Sequence, residues 1–378
     1  MKKHVLILFS IVFLMTAGGG DTKATADIVD SMEFQGQGIE LTLEQAIEAV
    51  LKDSPVVKES NLNLEQAQVE YEQNKSQIRK NKASNNIGNE NSITYLQSVT
   101  LPQLTAEFNI DNAKRSHEAT IEGLKADIEQ AYFNLLHAEQ SEQINWESLE
   151  VTKELYEITK QKYQLGLVSR QEVLNSELSC INAENDYKAA VDAVKNAKMQ
   201  FNAKMGYNVM TEVKLKDELQ YKEFNPGSIA EAVSRALTNR MEVKSAEFAY
   251  EKEKINLDII ARQYPEITYM YREQKVAVEK ALKALEDTKK NIEIEVRQNY
   301  LEVMQKKEAI KSAEKSVELS EEALKLNRTF HEANMAVPTD VQKAETALKQ
   351  AKTGLSKAIL DYNLAVLKFE DSIGVGRN

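Results

Sequence analysis

Four histidines, His4, His117, His137 and His331, and one cysteine, Cys180, are the residues from which nucleophilic or metal chemistry would have to be built. None of the histidines stands in H-E-x-x-H or any other metal-ligand spacing. Cys180 falls on an apolar heptad position, which makes it a packing residue rather than an activated thiolate. Gly18-Gly19-Gly20 follows no strand and lies in an N-terminal apolar region, so it is no phosphate cradle. No catalytic, cofactor-binding or metal residue is assigned, and the chain is read as a non-enzyme without cofactor. A single sulfur excludes an internal disulfide. Lys+Arg is 48 against Asp+Glu 59, a net charge of -11, which argues against nucleic acid as a partner. Two carboxylates remain of interest, Glu172 and Asp340, each in the first turn of a helix, where the helix dipole favours negative charge.

The elements that position these residues follow from the scarcity of breakers. Of 378 residues, 42% are apolar and 28% charged, with 13 Gly and 5 Pro. Five of the glycines (18, 19, 20, 36 and 38) lie in the first 38 residues, which leaves eight for the other 340. So rarely interrupted a chain is built from very long helices. At the N-terminus, Lys2 and Lys3 precede an apolar run from Val5 to Ala17, and Ala24-Thr25-Ala26 supplies a small-x-small cleavage pattern. The run is 13 residues long, shorter than the roughly 20 that span a bilayer, so residues 1–26 read as a secretory signal peptide and 27–38 as an N-terminal extension. Cleavage removes three lysines and one aspartate and takes the charge from -11 to -13.

Self-comparison shows a tandem duplication, residues 39–224 and 225–378. Leu43-Glu44-Gln45-Ala46-Ile47-Glu48-Ala49-Val50-Leu51 matches Ile229-Ala230-Glu231-Ala232-Val233-Ser234-Arg235-Ala236-Leu237 at an offset of 186. From Tyr132 with Tyr300 to Phe201 with Phe369 and Gly206 with Gly374, the offset is 168. The second copy is thus 18 residues shorter, and the loss lies between Tyr71 and Ala131 of the first.

Within the long match, Val341, Ala344, Leu348, Ala351, Leu355, Ala358, Tyr362, Ala365 and Phe369 alternate steps of three and four. Val173, Ser176, Cys180, Ala183, Tyr187, Ala190, Val194, Ala197 and Phe201 do the same in the first copy, a coiled-coil seam with small residues that allow close approach. The preceding helix of the second copy carries two stripes, Leu319-Ala323-Leu326-Phe330-Ala333 and Ile310-Ala313-Val317-Leu324. Two stripes on one helix call for neighbours on two sides, as in a bundle or a closed ring of helices.

Short turns separate the two helices of each copy, Leu165 to Ser169 and Ala333 to Thr339; Gly166 and Asn334 tolerate a left-handed residue, and Ser169 or Thr339 can cap the next helix. The helix before the second turn is expected from about Lys275 to Asn334. All five prolines are expected at boundaries: Pro55 between a short and a long helix, Pro102 and Pro265 where the chain reverses, Pro226 at the start of the second copy, Pro338 at a turn. Tyr207 to Asn225 reads as an extended or irregular connector. His331 aligns with Tyr163 and is expected on a helix surface.

Several of these residues together resemble the TolC-like outer membrane efflux proteins. They are the duplication itself, Leu41-Thr42-Leu43-Glu44-Gln45-Ala46-Ile47, Ala131-Tyr132-Phe133-Asn134-Leu135-Leu136, and the turn Tyr163-x-x-Gly166-Leu167-Val168-Ser169 followed by Glu172-Val173-Leu174. The resemblance implies an all-α chain of tandemly duplicated long antiparallel helical hairpins, the protomer of a coiled-coil-like α-barrel, with at most short β segments. It further implies a homotrimer that forms the exit duct of a tripartite efflux pump or type I secretion system, partnered by a periplasmic adaptor (membrane fusion) protein and an inner-membrane transporter. The tip turns, Gly166, Leu167, Val168 and Ser169 with Asn334, Met335, Ala336 and Val337, would meet the adaptor. Asp340, with Glu172, would place charge at the pore tip. One helical turn beyond Asp340, where the family has a second carboxylate, this chain has Lys343.

The family also needs two membrane strands per copy, each of roughly 9–11 alternating residues. Only Ile93 to Leu101 approaches that pattern in the first copy, and Ile267 to Tyr271 is five residues long in the second. A member without the full barrel is therefore expected, exported to the envelope and located in the outer membrane or periplasm. An exported coiled-coil scaffold or spacer of the envelope is the alternative that the seams and acidity equally fit.

Overall fold

The structure, a computed structural model, describes residues 34–84, 92–222, 224–225, 227–333 and 335–376. The expected signal peptide, residues 27–33 of the extension, Pro226 and Asn334 lie outside the described residues. Strand β1 (Gln35–Leu41) leads into α1 (Leu43–Asp53), α2 (Pro55–Ser84), α3 (Ile93–Gln164) and α4 (Arg170–Met205), followed by β2 (Thr211–Leu215). The second half is α5 (Ile229–Asn239), α6 (Met241–Ala261), α7 (Tyr269–Glu332) and α8 (Pro338–Ile373). At 1.5 Å per residue, α3 with 72 residues spans roughly 108 Å and α7 with 64 roughly 96 Å.

The helix ends repeat between the two halves. Thr42 and Ser228 both open a short helix of 11 residues with a capping box, the hydroxyl accepting from the helix and Gln45 or Glu231 reaching back. Each short helix ends at an extended residue, Ser54 (φ -58°, ψ 128°) and Arg240 (φ -61°, ψ 130°), after which a second helix starts at once. α4 and α8 both have 36 residues, and both bury their seam. The Tyr132–Phe201 ring pair (centroids 6.0 Å apart) recurs as Tyr300–Phe369 (6.1 Å). The 18-residue difference is divided over one hairpin: α2 has 30 residues against 21 in α6, and α3 has 72 against 64 in α7.

The hairpin helices lie in the order α4, α3, α8, α7, each packed on the next. The main core sits at mid-length, where Ile128, Tyr132, Leu135, Phe201, Val296, Val303, Tyr362, Val366 and Phe369 meet the short helices through Ala46, Val50, Ala232 and Ala236, and α6 through Val243. β1 and β2 pair in parallel beside it, Ile39 opposite Val213 and Leu41 opposite Leu215. Asp217, just past β2, locks the junction: its Oδ2 accepts from the Leu43 backbone N–H (3.0 Å) and from the Tyr132 hydroxyl (2.7 Å).

Four expectations are corrected. Pro102 lies within α3, not at a reversal. The lost N–H is a local cost of about 3 kcal/mol, and the burial of Val99 and Ala106 on either side carries the helix through. The first hairpin reverses between Ser84 and Ile93 instead. Ile93 to Leu101, the nearest approach to a membrane strand, is helix, and Tyr269 to Tyr271 opens α7. α7 starts at Tyr269, not Lys275, because the Thr268 hydroxyl caps it by accepting from Tyr271 N–H. α8 is preceded by Val337 rather than capped by Thr339: Pro338 takes the first helical position, where its missing N–H costs nothing. Among the described residues no helix is long and apolar enough to cross a membrane.

Candidate functional site

The α3–α4 and α7–α8 turns form one end of the molecule. In the first, Gly166 adopts the left-handed conformation (φ 73°), and its N–H donates to the Tyr163 carbonyl (2.9 Å) while Leu167 N–H donates to that of Lys162 (2.9 Å). Ser169 then starts α4. Its Oγ accepts from Glu172 N–H (3.3 Å), and the Glu172 carboxylate accepts from Ser169 N–H (2.7 Å) and Oγ (2.9 Å). Glu172 is thus engaged in the cap. The second turn closes differently: Met335 and Ala336 both donate to the Phe330 carbonyl (2.8 and 3.2 Å). Asp340 N–H donates to Val337 O (3.0 Å), and the Asp340 carboxylate faces Lys343 Nζ at 3.9 Å. Leu165, Leu167, Met335 and Val337 project into solvent, so the tip is an apolar knob with its charge at the flanks.

Beneath the turns, Leu155, Leu324, Val341, Ala344 and Leu348 form a second, smaller core. Cross-links between the hairpins run from just below the tip down to the main core. Gln342 Nε2 donates to Ser176 Oγ (3.1 Å), Lys352 pairs with Glu147 (3.1 Å), and His137 Nδ1 and Gln140 Oε1 meet Ser356 Oγ (2.8 and 2.7 Å). His331 is buried here rather than on the surface. Its Nε2 lies 3.3 Å from Lys162 Nζ, and burial together with the Lys162 charge pushes its pKa below the usual histidine value, leaving a neutral ring that accepts. Glu345 is also buried; desolvation raises its pKa, partly offset by the Arg328 guanidinium at 3.9 Å, too long for a hydrogen bond. Cys180, half-buried on α4, has its thiol pKa raised by burial, the opposite of an activated nucleophile.

The structure brings the eleven sequence-selected tip positions, apart from Asn334, to this one end. Sequence reasoning missed the buried His331–Lys162 pair and Glu345, because the equivalents of His331 and Glu345, Tyr163 and Glu177, are both exposed. It also left unresolved which apolar stripe faces inward. Ile310 and Leu324 are buried in the chain, whereas Leu319, Leu326 and Phe330 stay exposed on the free side of α7. On the opposite edge α4 exposes Leu174, Leu178 and Ile181.

No protein-family model and no curated protein matches the sequence. Solved structures do. A membrane protein from Pseudomonas aeruginosa superposes with a TM-score of 0.69 at 12% identity, covering 89% of this chain and 90% of that one. The outer membrane protein VceC of Vibrio cholerae gives 0.67 at 14% identity over 89% and 97%, and the Campylobacter jejuni CmeC outer membrane channel 0.67 at 13% over 98% and 91%. The chain therefore has the TolC-like fold. The named structures are membrane proteins and channels rather than enzymes.

Proposed function

We propose that this chain is the exit duct of a tripartite efflux pump or type I secretion system, a trimeric helical tunnel across the cell envelope. The observation that carries the reading is the pair of unpartnered apolar edges. Leu319, Leu326 and Phe330 on α7 and Leu174, Leu178 and Ile181 on α4 bound the four-helix layer on opposite sides. A layer with two different apolar edges closes head-to-tail, α7 of one copy on α4 of the next, and three copies in a ring enclose a lumen. A periplasmic adaptor, linked to an inner-membrane transporter, docks on the Leu165–Ser169 and Met335–Val337 knob, and Asp340 lies at the narrow end. The fold of CmeC and VceC, an outer membrane channel and an outer membrane protein, supports this.

Negative-stain images of the purified protein are expected to show hollow three-fold cylinders, and Leu326→Glu combined with Leu178→Glu should leave monomers. Solid rods would overturn the duct reading in favour of an exported coiled-coil scaffold. The helical course of Ile93 to Leu101, in place of a membrane strand, is the observation on that reading's side.

A further inference from the structure

The end opposite the tip is made by the α2–α3 and α6–α7 hairpins. Gln97 of α3 donates to Asn256 of α6 (2.8 Å), and Asn256 donates to Gln274 of α7 (2.9 Å), so the two hairpin ends stand side by side. Beyond this bridge the α6–α7 turn is well tied: Tyr264 N–H donates to Ile260 O (3.0 Å), and Thr268 gives both its N–H (2.9 Å) and its hydroxyl (2.7 Å) to Pro265 O. A turn so fixed nevertheless points its large apolar side chains outward. Ile267 is 88% exposed and Tyr269 87%, with Tyr264 and Met270 exposed beside them. Single exposed apolar residues are ordinary, but four on one projecting apex form a patch that calls for a partner.

The charge around the apex identifies the partner. Arg262 flanks it on one side and Arg272 and Lys275 on the other, with Glu266 and Glu273 between. α2 runs toward the same end carrying Lys75, Arg79, Lys80 and Lys82, and from Gln73 to Ala106 the sequence has a single acid, Glu90. Among the described residues none of these seven cations is in a salt bridge, although Lys82 Nζ donates to Gln103 Oε1 (3.5 Å). In a chain of net charge -11, residues 73–106 and 262–275 carry seven cations against three acids. A second copy of the same end would set one net positive surface against another. An anionic bilayer satisfies every part at once. Ile267 and Met270 enter below the headgroups, the Tyr264 and Tyr269 rings sit at the interface with their hydroxyls outward, and the cations meet phosphates.

We infer that the α6–α7 turn docks on the surface of an anionic phospholipid bilayer, inserting Ile267, Tyr269 and Met270 without spanning it. The inference rests on the placement of the hairpin ends and holds whether or not the chain trimerises. The test is vesicle flotation of the chain as purified from cells, its N-terminus read by mass spectrometry. Phosphatidylcholine vesicles are compared with vesicles that also contain phosphatidylglycerol. Partition onto the anionic vesicles is expected to exceed that onto neutral ones by roughly tenfold or more and to fall with salt. The triple variant Ile267→Ser, Tyr269→Ser, Met270→Ser alters only exposed or half-exposed positions and should keep its helical circular dichroism while losing about tenfold or more in partition. Arg262→Glu, Arg272→Glu, Lys275→Glu should remove the preference for anionic vesicles and leave the weak neutral binding. Equal flotation of wild type and both variants would overturn the inference. So would an absence of flotation, or end-to-end pairing of particles that the apolar variant abolishes without any lipid binding.

Discussion

Where the first copy has Ser54, the second has Arg240, at the same break between a short helix and a long one and with nearly the same backbone angles. The chemistry around the two is unlike. Ser54 uses its hydroxyl locally, accepting from Val56 N–H (3.1 Å). Arg240 is buried and reaches across the fold: it donates to Glu242 (3.0 and 2.6 Å), to Glu295 of α7 (3.0 and 3.3 Å) and to the Ser372 carbonyl at the end of α8 (3.3 Å). In return, the first copy has its own long-range lock, Tyr132 to Asp217, at a place where the second has the half-buried Tyr300. Between the two halves the short-helix ends and the inward seam are alike while the polar locks differ. At this break the backbone geometry is the same in the two halves, and the interactions that secure it are not.

The largest effect that sharpens this comparison is expected at the break itself. Arg240→Ala leaves two carboxylates without their guanidinium and should cost about 2 kcal/mol, since Arg240 is buried but Glu242 and Glu295 are partly exposed and solvent-screened. Ser54→Ala should cost about 0.5 kcal/mol, a local hydroxyl contact only. Denaturant unfolding followed by helical circular dichroism, at one protein concentration, measures both. Equal losses would mean that the two copies are secured alike after all.

Next in size is the mid-length lock. Tyr132→Phe removes a hydroxyl that donates to the Asp217 carboxylate (2.7 Å) and lies 3.3 Å from the Leu41 carbonyl, and it should cost about 1.5 kcal/mol. Tyr300→Phe, at the equivalent ring, should change stability by less than about 0.5 kcal/mol.

These two pairs also mark what could and could not be read in the sequence. The seam was legible because residues three and four apart lie on one helix face whatever the tertiary context, and the turns were legible because Gly166, Ser169 and Pro338 have few backbone roles open to them. Pro102 misled because its cost is local and fixed while the burial that outweighs it comes from other helices. Arg240, Tyr132 and Glu345 were opaque for a related reason. Their partners lie far along the chain, 132 residues away for Arg240 and Ser372, and no spacing rule reports such a distance. Alignment of the copies even worked against His331, whose counterpart Tyr163 is exposed. The tip turns were found as a group, yet that Glu172 is occupied by its cap while Asp340 keeps only a loose pairing with Lys343 emerges from coordinates alone.

A smaller contrast concerns Gly206 and Gly374, which end α4 and α8 at the same register. Gly206 has φ 75° and Gly374 φ -83°. At both a methyl group meets nothing closer than ordinary van der Waals contact, so only the backbone differs. Gly206→Ala should therefore cost about 1 kcal/mol and Gly374→Ala close to nothing. Equal costs would show that the two helix ends are more alike in solution than these backbone angles imply.

The smallest effect is expected at Glu345, and its sign is opposite. Burial raises the folded-state pKa of this carboxyl above its unfolded value, so the protein binds its proton more tightly when folded. The contribution to stability is complete below the ordinary carboxylate range and is lost as pH rises through the folded value. At neutral pH the charge is a burden, because the Arg328 charge at 3.9 Å and a hydrogen bond with Ser148 offset the desolvation only in part. Glu345→Gln should then stabilise the chain by about 0.5 kcal/mol at neutral pH and by nothing once the pH is low enough to protonate the wild-type side chain. Glu177→Gln, the exposed counterpart on α4, should do nothing at either pH. If Glu345→Gln destabilised the protein at neutral pH, the Arg328 contact would be a genuine ion pair. The tip would then have a polar lock of its own in the second copy, comparable in kind to the one Arg240 makes at mid-length.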